Sequence, residues 1–151
     1  MPEIRREAVI ALPLRHVWEF IADINEWAHD LPGYCAHEMK SETESIWRLR
    51  GDVGILSREI DLQVIITEWV DQKSVKFTLK GVYEPVEGRG QVGITAVDPT
   101  QTKLIIEMEL KATGLMGPII NALLDKVAPG MGDQFVAALS ADLLKRKKEI
   151  K

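Results

Sequence analysis

Along residues 58 to 69, REIDLQVIITEW, the apolar side chains Ile60, Leu62, Val64 and Ile66 take every second place, and Glu59, Asp61, Gln63 and Thr67 fill most of the others. A period of two belongs to a strand with one wet and one dry face. The same alternation recurs in SVKFTLK, where Val75, Phe77 and Leu79 share a face, and in KLIIEMELKA, with Leu104, Ile106, Met108, Leu110 and Ala112. Strands are predicted over 3–11, 34–42, 45–51, 57–69, 73–81, 85–97 and 102–113. The turn signals GDVG (51–54), DQKS (71–74) and DPTQT (98–102) leave short spacings, which favour antiparallel hairpins.

Two stretches change period. After Pro13, the residues Leu14, Val17, Trp18 and Ile21 occupy one helical face, which makes Trp18 a core residue. Asp23 reads as the N-cap of a second short turn through Trp27, with Glu26 at its third position as in a capping box, and Leu31-Pro32-Gly33 ends it. From Gly117-Pro118 onward, Ile120, Leu123, Leu124, Val127, Met131, Phe135, Leu139 and Leu143 form one stripe of a long helix. Pro129 falls inside that stripe and predicts a kink or short break, because it removes a hydrogen bond and crowds the preceding turn. The order is strand, two short helices, six strands, long helix. It implies a single α+β domain over 1–151, in which an antiparallel sheet curls around the last helix and buries Leu123, Val127 and Phe135.

Composition narrows the function classes. The 151 residues are 46% hydrophobic and 28% charged, with a net charge of -4, so nothing draws the whole chain to nucleic acid. The basic cluster Lys145 to Lys148 reads as a solvated last helical turn complementing the helix dipole. Cys35 is the single cysteine, which excludes an intramolecular disulfide and agrees with a reducing compartment. With neither a signal peptide nor an apolar run of roughly 18 residues, a cytoplasmic protein without a membrane span is expected.

The motifs PLRHVWEFIADINEW, LPGY, EGRGQVGITAV and ATGLMGPIINALL, in this order, resemble the START/SRPBCC superfamily and are most similar to the carbon monoxide dehydrogenase G-related proteins. The resemblance implies the helix-grip fold: a curved sheet of about seven strands around a long C-terminal helix, with two short helices after the first strand. It also implies a cavity between sheet and helix for a hydrophobic ligand, and no shared catalytic machinery. Some of the G-related proteins carry a C-terminal membrane anchor. This chain ends in KRKKEIK, so the alternative role the resemblance implies, an accessory protein in carbon monoxide dehydrogenase-like maturation, is expected without a membrane tether.

The walls of such a cavity would come from Trp47, Leu62, Val64, Phe77, Ile94, Ile106 and Met108 on the sheet, and from Met116, Ile120, Leu124, Val127 and Met131 on the helix. Trp27 and Leu31 lie where the family's pocket mouth falls, Trp27 divided evenly between core and ligand contact. His37 is the polar group expected to project inward. Gly88 and Gly90 share the face of Val92 and Ile94 and leave room above the sheet. The expected ligand is a lipid, quinone or polyketide-like molecule, with no cofactor. A cyclase or dehydrase would need His37 or a strand carboxylate as base with a titratable partner. A structural subunit would instead expose an apolar patch around Trp69, which reads as a surface or interface residue compatible with a homodimer. EGRGQVG opens no helix and lacks the amides of a phosphate loop, and there is no GxSxG. His29, Cys35 and His37 match no zinc spacing. They read as a small buried cysteine and hydrogen-bonded histidines, and no metal is expected.

Overall fold

The computed structural model describes residues 3–53 and 56–149, without the side chains of 51–58 and 147–149. Seven strands form one antiparallel sheet in the order β1-β7-β6-β5-β4-β3-β2, curled as a half-barrel. They are β1 (Glu3–Ile10), β2 (Tyr34–Met39), β3 (Glu44–Val53), β4 (Leu56–Val70), β5 (Ser74–Gly81), β6 (Val86–Asp98) and β7 (Gln101–Ala112). Between β1 and β2 come α1 (Leu14–Ile21), α2 (Ile24–Trp27) and a 3₁₀ turn, Ala28–Asp30. The long helix α3 (Gly117–Glu149) follows β7. The hydrophobic pattern predicts the α+β sheet curled against a last helix, and the whole is the helix-grip arrangement that the resemblance implies.

Register explains which residues meet. Trp47 pairs with Leu62, Val64 with Leu79, Ile66 with Phe77, and Val92 with Ile106, so the apolar rows of successive strands stack on the concave face. The opposite face carries cross-strand ion pairs, Arg48 with Asp61 and Arg89 with Glu109, each directly in register. Strand β2 stops at Met39, short of the predicted residue 42, because the Ser41 hydroxyl accepts hydrogen bonds from the amides of Thr43 and Glu44 and closes the turn. The GDVG turn lies partly outside the described residues.

Bulges refine the parity argument. One between Ile66 and Glu68 returns Trp69 to register with the inward Val75. Trp69 is thus half-exposed, with its indole N–H donating to Ala22 O at the end of α1 (3.1 Å), rather than free on the outer surface. Trp18 is only partly buried, while Phe20 takes the fully buried place on α1. Asp23 caps α2 through the Asn25 amide. Glu26 instead pairs with Arg146, so the cluster read as a solvated helical turn supplies one side chain to a tertiary contact.

Pro129 does not break α3, which runs continuously through it. Arg6, facing the helix from β1, donates to Pro129 O (3.0 Å) and to Asp133 (2.7 Å). Beside it, Gly132 lets the helix touch β1, since a Cβ there would lie 2.5 Å from Ile4 Cγ2. The helix therefore seats chiefly on β1 and β7, not across the middle of the sheet. Its second half is the better buried: Phe135, Leu139 and Leu143 are in the core. Leu123 and Val127, expected to be buried, are only half-covered.

Candidate functional site: an apolar cavity under the long helix

One end of the groove is closed by aromatic rings. Trp27, delivered by the turn after α1, lies 5.9 Å from Trp47 in an edge-on arrangement, 6.1 Å from Phe77 and 5.9 Å from Phe135. Its indole N–H donates to Ile21 O (3.0 Å), which satisfies the one polar atom such a ring brings into a core. Although aromatic residues are only 6% of the chain, four of them gather here. Gly90 makes room for this plug and not for a void: a Cβ at Gly90 would run into the Phe77 ring on the neighbouring strand. At Gly88 a Cβ would meet the Glu109 carbonyl on β7, so that glycine also serves close packing.

Next to the plug a partly enclosed cavity of about 60 Å³ remains. Its sheet side is formed by Ile4, Trp47, Leu49, Leu62, Leu79, Met108 and Leu110, and its helix side by Leu124, Ala128, Met131 and Phe135. Leu31 and Pro32 of the loop before β2 close the rim. Among the described residues no ionisable side chain lines it, and the indole N–H of Trp47 is already committed to the Ser45 hydroxyl (3.0 Å). Two larger hollows, about 460 and 450 Å³, are shallow saddles bordered by charged side chains such as Lys80, Glu87, Arg89 and Glu109. Enclosure and apolar lining, which retain small molecules, favour the cavity under α3.

Among solved structures, a conserved protein from Geobacillus kaustophilus superposes with a TM-score of 0.74 at 15% identity, over 95% of each chain. A START superfamily protein from Mycobacterium smegmatis gives 0.69 at 11% identity, over 95% of this chain and 97% of that one. The Zhui aromatase/cyclase from Streptomyces sp. R1128 gives 0.64 at 19% identity, over 99% and 95%. A family model matches residues 1–147. The chain shares the fold of these START and aromatase/cyclase structures. Curated proteins include no significant sequence match to it.

In this chain the fold brings Leu31, Trp47, Leu62, Met108, Leu124 and Met131 together around the cavity. Val64, Phe77, Ile94 and Ile106, also expected there, are buried in the packed core beside it. Trp27 is core, 1% exposed. Ile120 and Val127 are half-buried on α3 outside the lining, and Met116 is exposed just before the helix. Several lining residues outside the expected set carry the same sequence signal as those within it. Leu49 has the parity of Trp47, Leu79 and Leu110 sit in alternating rows, and Phe135 lies on the helical stripe. Ile4, Pro32 and Ala128 become walls only through tertiary contact.

His37 does not project into the cavity. Its register with Trp47 puts it on the concave face, but at the sheet edge under α2. There Nδ1 lies 2.8 Å from the Tyr34 hydroxyl and Nε2 2.6 Å from Asn25 Oδ1. Both contacts are satisfied when Nε2 donates and Nδ1 accepts, a structural arrangement. Cys35 is exposed rather than buried, with its thiol directed to Gly33 O. A bulge between Tyr34 and Ala36 separates it from His37, and His29 lies elsewhere.

The polar concentration sits further along α3. His29 Nε2 is 2.8 Å from Asp142 Oδ2 and 3.5 Å from Asp30 Oδ1. Burial, with the Asp142 carboxylate facing it, pushes the Asp30 carboxyl up to about 8. Arg146 lies over the Phe20 ring, 4.7 Å from its centroid, and is joined to Glu26.

Proposed function

We propose that this protein is a member of the START/SRPBCC superfamily and binds a small hydrophobic molecule, of lipid, quinone or polyketide-like character, between the sheet and α3. The observation that supports this most is a cavity wall of aliphatic and aromatic side chains under a helix whose first half is incompletely packed. Ile119 is exposed and Ile120, Leu123, Leu124 and Val127 are only half-covered, and Leu115 and Met116 are exposed just before the helix. At about 60 Å³ the space is far below the roughly 300–1,000 Å³ of a drug-sized site. A ligand of that size therefore enters by displacing the first half of α3, which has the least apolar contact to lose.

A cyclase-type reaction in this cavity is the weaker reading, since acid–base catalysis needs titratable groups at the reacting atoms and the lining supplies none. Within the superfamily, the motifs around PLRHVWEFIADINEW support a subgroup reading near the carbon monoxide dehydrogenase G-related proteins, which leaves the ligand class unchanged. Cys35 has no disulfide partner, which supports a reducing, cytoplasmic setting. Among the described residues no helix is long and apolar enough to cross a membrane.

The test pairs native mass spectrometry of freshly purified protein with titration of a fluorescent fatty-acid or quinone-like probe. Met131→Trp, which adds bulk from a half-buried helix position, is expected to weaken probe binding at least fivefold while the fold is retained. Equal binding by the variant, or no binding by either protein, refutes the reading.

A further inference from the structure

The cluster where the 3₁₀ turn meets the second half of α3 is separate from the apolar cavity. Asp142 is 11 residues beyond Met131, about 16 Å along the helix. The Asp30 side chain is 9% exposed and that of Asp142 17% exposed. Among the described residues no side chain or amide donates to Asp30 Oδ2, which is fully buried. The Asp142 carboxyl faces Asp30, so the two acids share a proton unless a cation accepts the oxygen lone pairs in its place.

Protein cations meet this demand poorly. Arg146 is committed to Glu26, and its Nε stands 3.9 Å from Asp142 Oδ1 with no hydrogen bond of its own. Three acidic side chains (Glu26, Asp30 and Asp142) thus surround one guanidinium, and the imidazole of His29 faces the two aspartates, both partly buried. His29, Asp30 and Asp142 each offer a ligand atom, all within 4.8 Å of one another. Bonds of about 2.0–2.2 Å from one ion to nitrogen and oxygen put neighbouring ligands about 2.8–3.6 Å apart, from octahedral to tetrahedral angles. The observed separations of 2.8 and 3.5 Å from His29 Nε2 are already close to that.

We propose that His29, Asp30 and Asp142 form a binding site for one divalent transition-metal ion, of the class that zinc represents. One imidazole with two carboxylates is a nitrogen–oxygen donor set suited to such ions, whereas calcium and magnesium take oxygen alone. The His29 side chain is 49% exposed and supplies the outer ligand, leaving the solvent side open for water. Binding requires His29 to carry its proton on Nδ1, so that Nε2 coordinates instead of donating to Asp142. The ion would tie the 3₁₀ turn to α3. It does not depend on the hydrophobic-ligand reading, with which it shares no residue.

The experiment titrates chelator-treated full-length protein with zinc chloride by calorimetry, in a Cys35→Ser background that removes the exposed thiol. Cobalt(II) absorption serves as the spectroscopic check. One equivalent is expected to bind and raise the melting temperature, as any ligand selective for the folded state does. Asp30→Asn, Asp142→Asn and His29→Ala are each expected to raise Kd at least tenfold and remove the thermal shift. His29→Ala alters a half-exposed side chain, so the variant remains folded and the comparison stays decisive. No saturable binding, or binding unchanged in His29→Ala and Asp30→Asn, overturns the proposal.

Discussion

Phe135→Ala tests how the second half of α3 holds the sheet and what lies beneath it. Phe135 is 2% exposed, packs on Trp27 at 5.9 Å and forms part of the cavity wall. Removing the ring leaves on the order of 100 Å³ of void, which at ~24 cal/mol per Å³ costs about 2.4 kcal/mol beyond the lost transfer energy. Together these fall in the roughly 3–5 kcal/mol usual for a buried Phe replaced by Ala. For a chain of this length, each kcal/mol lowers the melting temperature by about 2–4 °C, so the expected drop is roughly 6–20 °C. Urea unfolding should show a lower midpoint with an unchanged slope.

The same variant reports on the cavity. The new void adjoins the existing 60 Å³, and an apolar space of roughly 150 Å³ can take up a benzene-sized molecule. Small aromatic probes are therefore expected to bind Phe135→Ala more tightly than wild type and to recover part of its lost stability. A loss below about 1 kcal/mol would refute the packing of α3 at this point. Full destabilisation with no gain in probe binding would refute the continuity of ring and cavity.

Gly90→Ala is expected to destabilise by about 1–3 kcal/mol through overpacking, because its Cβ meets the Phe77 ring, and Phe77→Leu in the same chain should restore part of the loss in a thermal melt. Asn121 bridges the start of α3 to the end of β7, its amide donating to Ala112 O (3.0 Å) and its carbonyl oxygen accepting from Ala112 N (2.8 Å). Asn121→Ala should cost about 1–3 kcal/mol and accelerate hydrogen exchange at the Ala112 amide and in the first turns of α3, while amides around Leu139 keep their protection.

The sheet is legible in the sequence because period two is a local property, and the rows along β4, β5 and β7 carry it plainly. Strand ends fall within a few residues of expectation, and they differ where side chains intervene, as at Ser41. Bulges leave no such mark, and they decide parity: the shift after Ile66 changes the surroundings of Trp69, and the one after Tyr34 separates Cys35 from His37. The break expected at Pro129 does not form. A proline removes one bond from a helix of 33 residues, and contacts to β1 through Arg6 and Gly132 support the turns around it.

The site is harder to read than the fold, for a physical reason. A glycine opposite an apolar row has two explanations, an open space or a large neighbour across the ladder, and only register distinguishes them. Phe77 opposite Gly90 turns what looks like cavity into core, and with Trp27, Trp47 and Phe135 it sets how little free volume remains. The polar cluster is hidden differently. His29 and Asp142 are 113 residues apart, so no spacing rule joins them. Local spacing groups His29 with Cys35 and His37 instead, and the fold sends those two elsewhere. One helix thus serves two unlike ends: its loosely packed first half covers an apolar space, and its second half carries Asp142 against the partly buried Asp30. A ligand displacing the first half need not disturb the second, because Phe135, Leu139 and Leu143 anchor the helix between them.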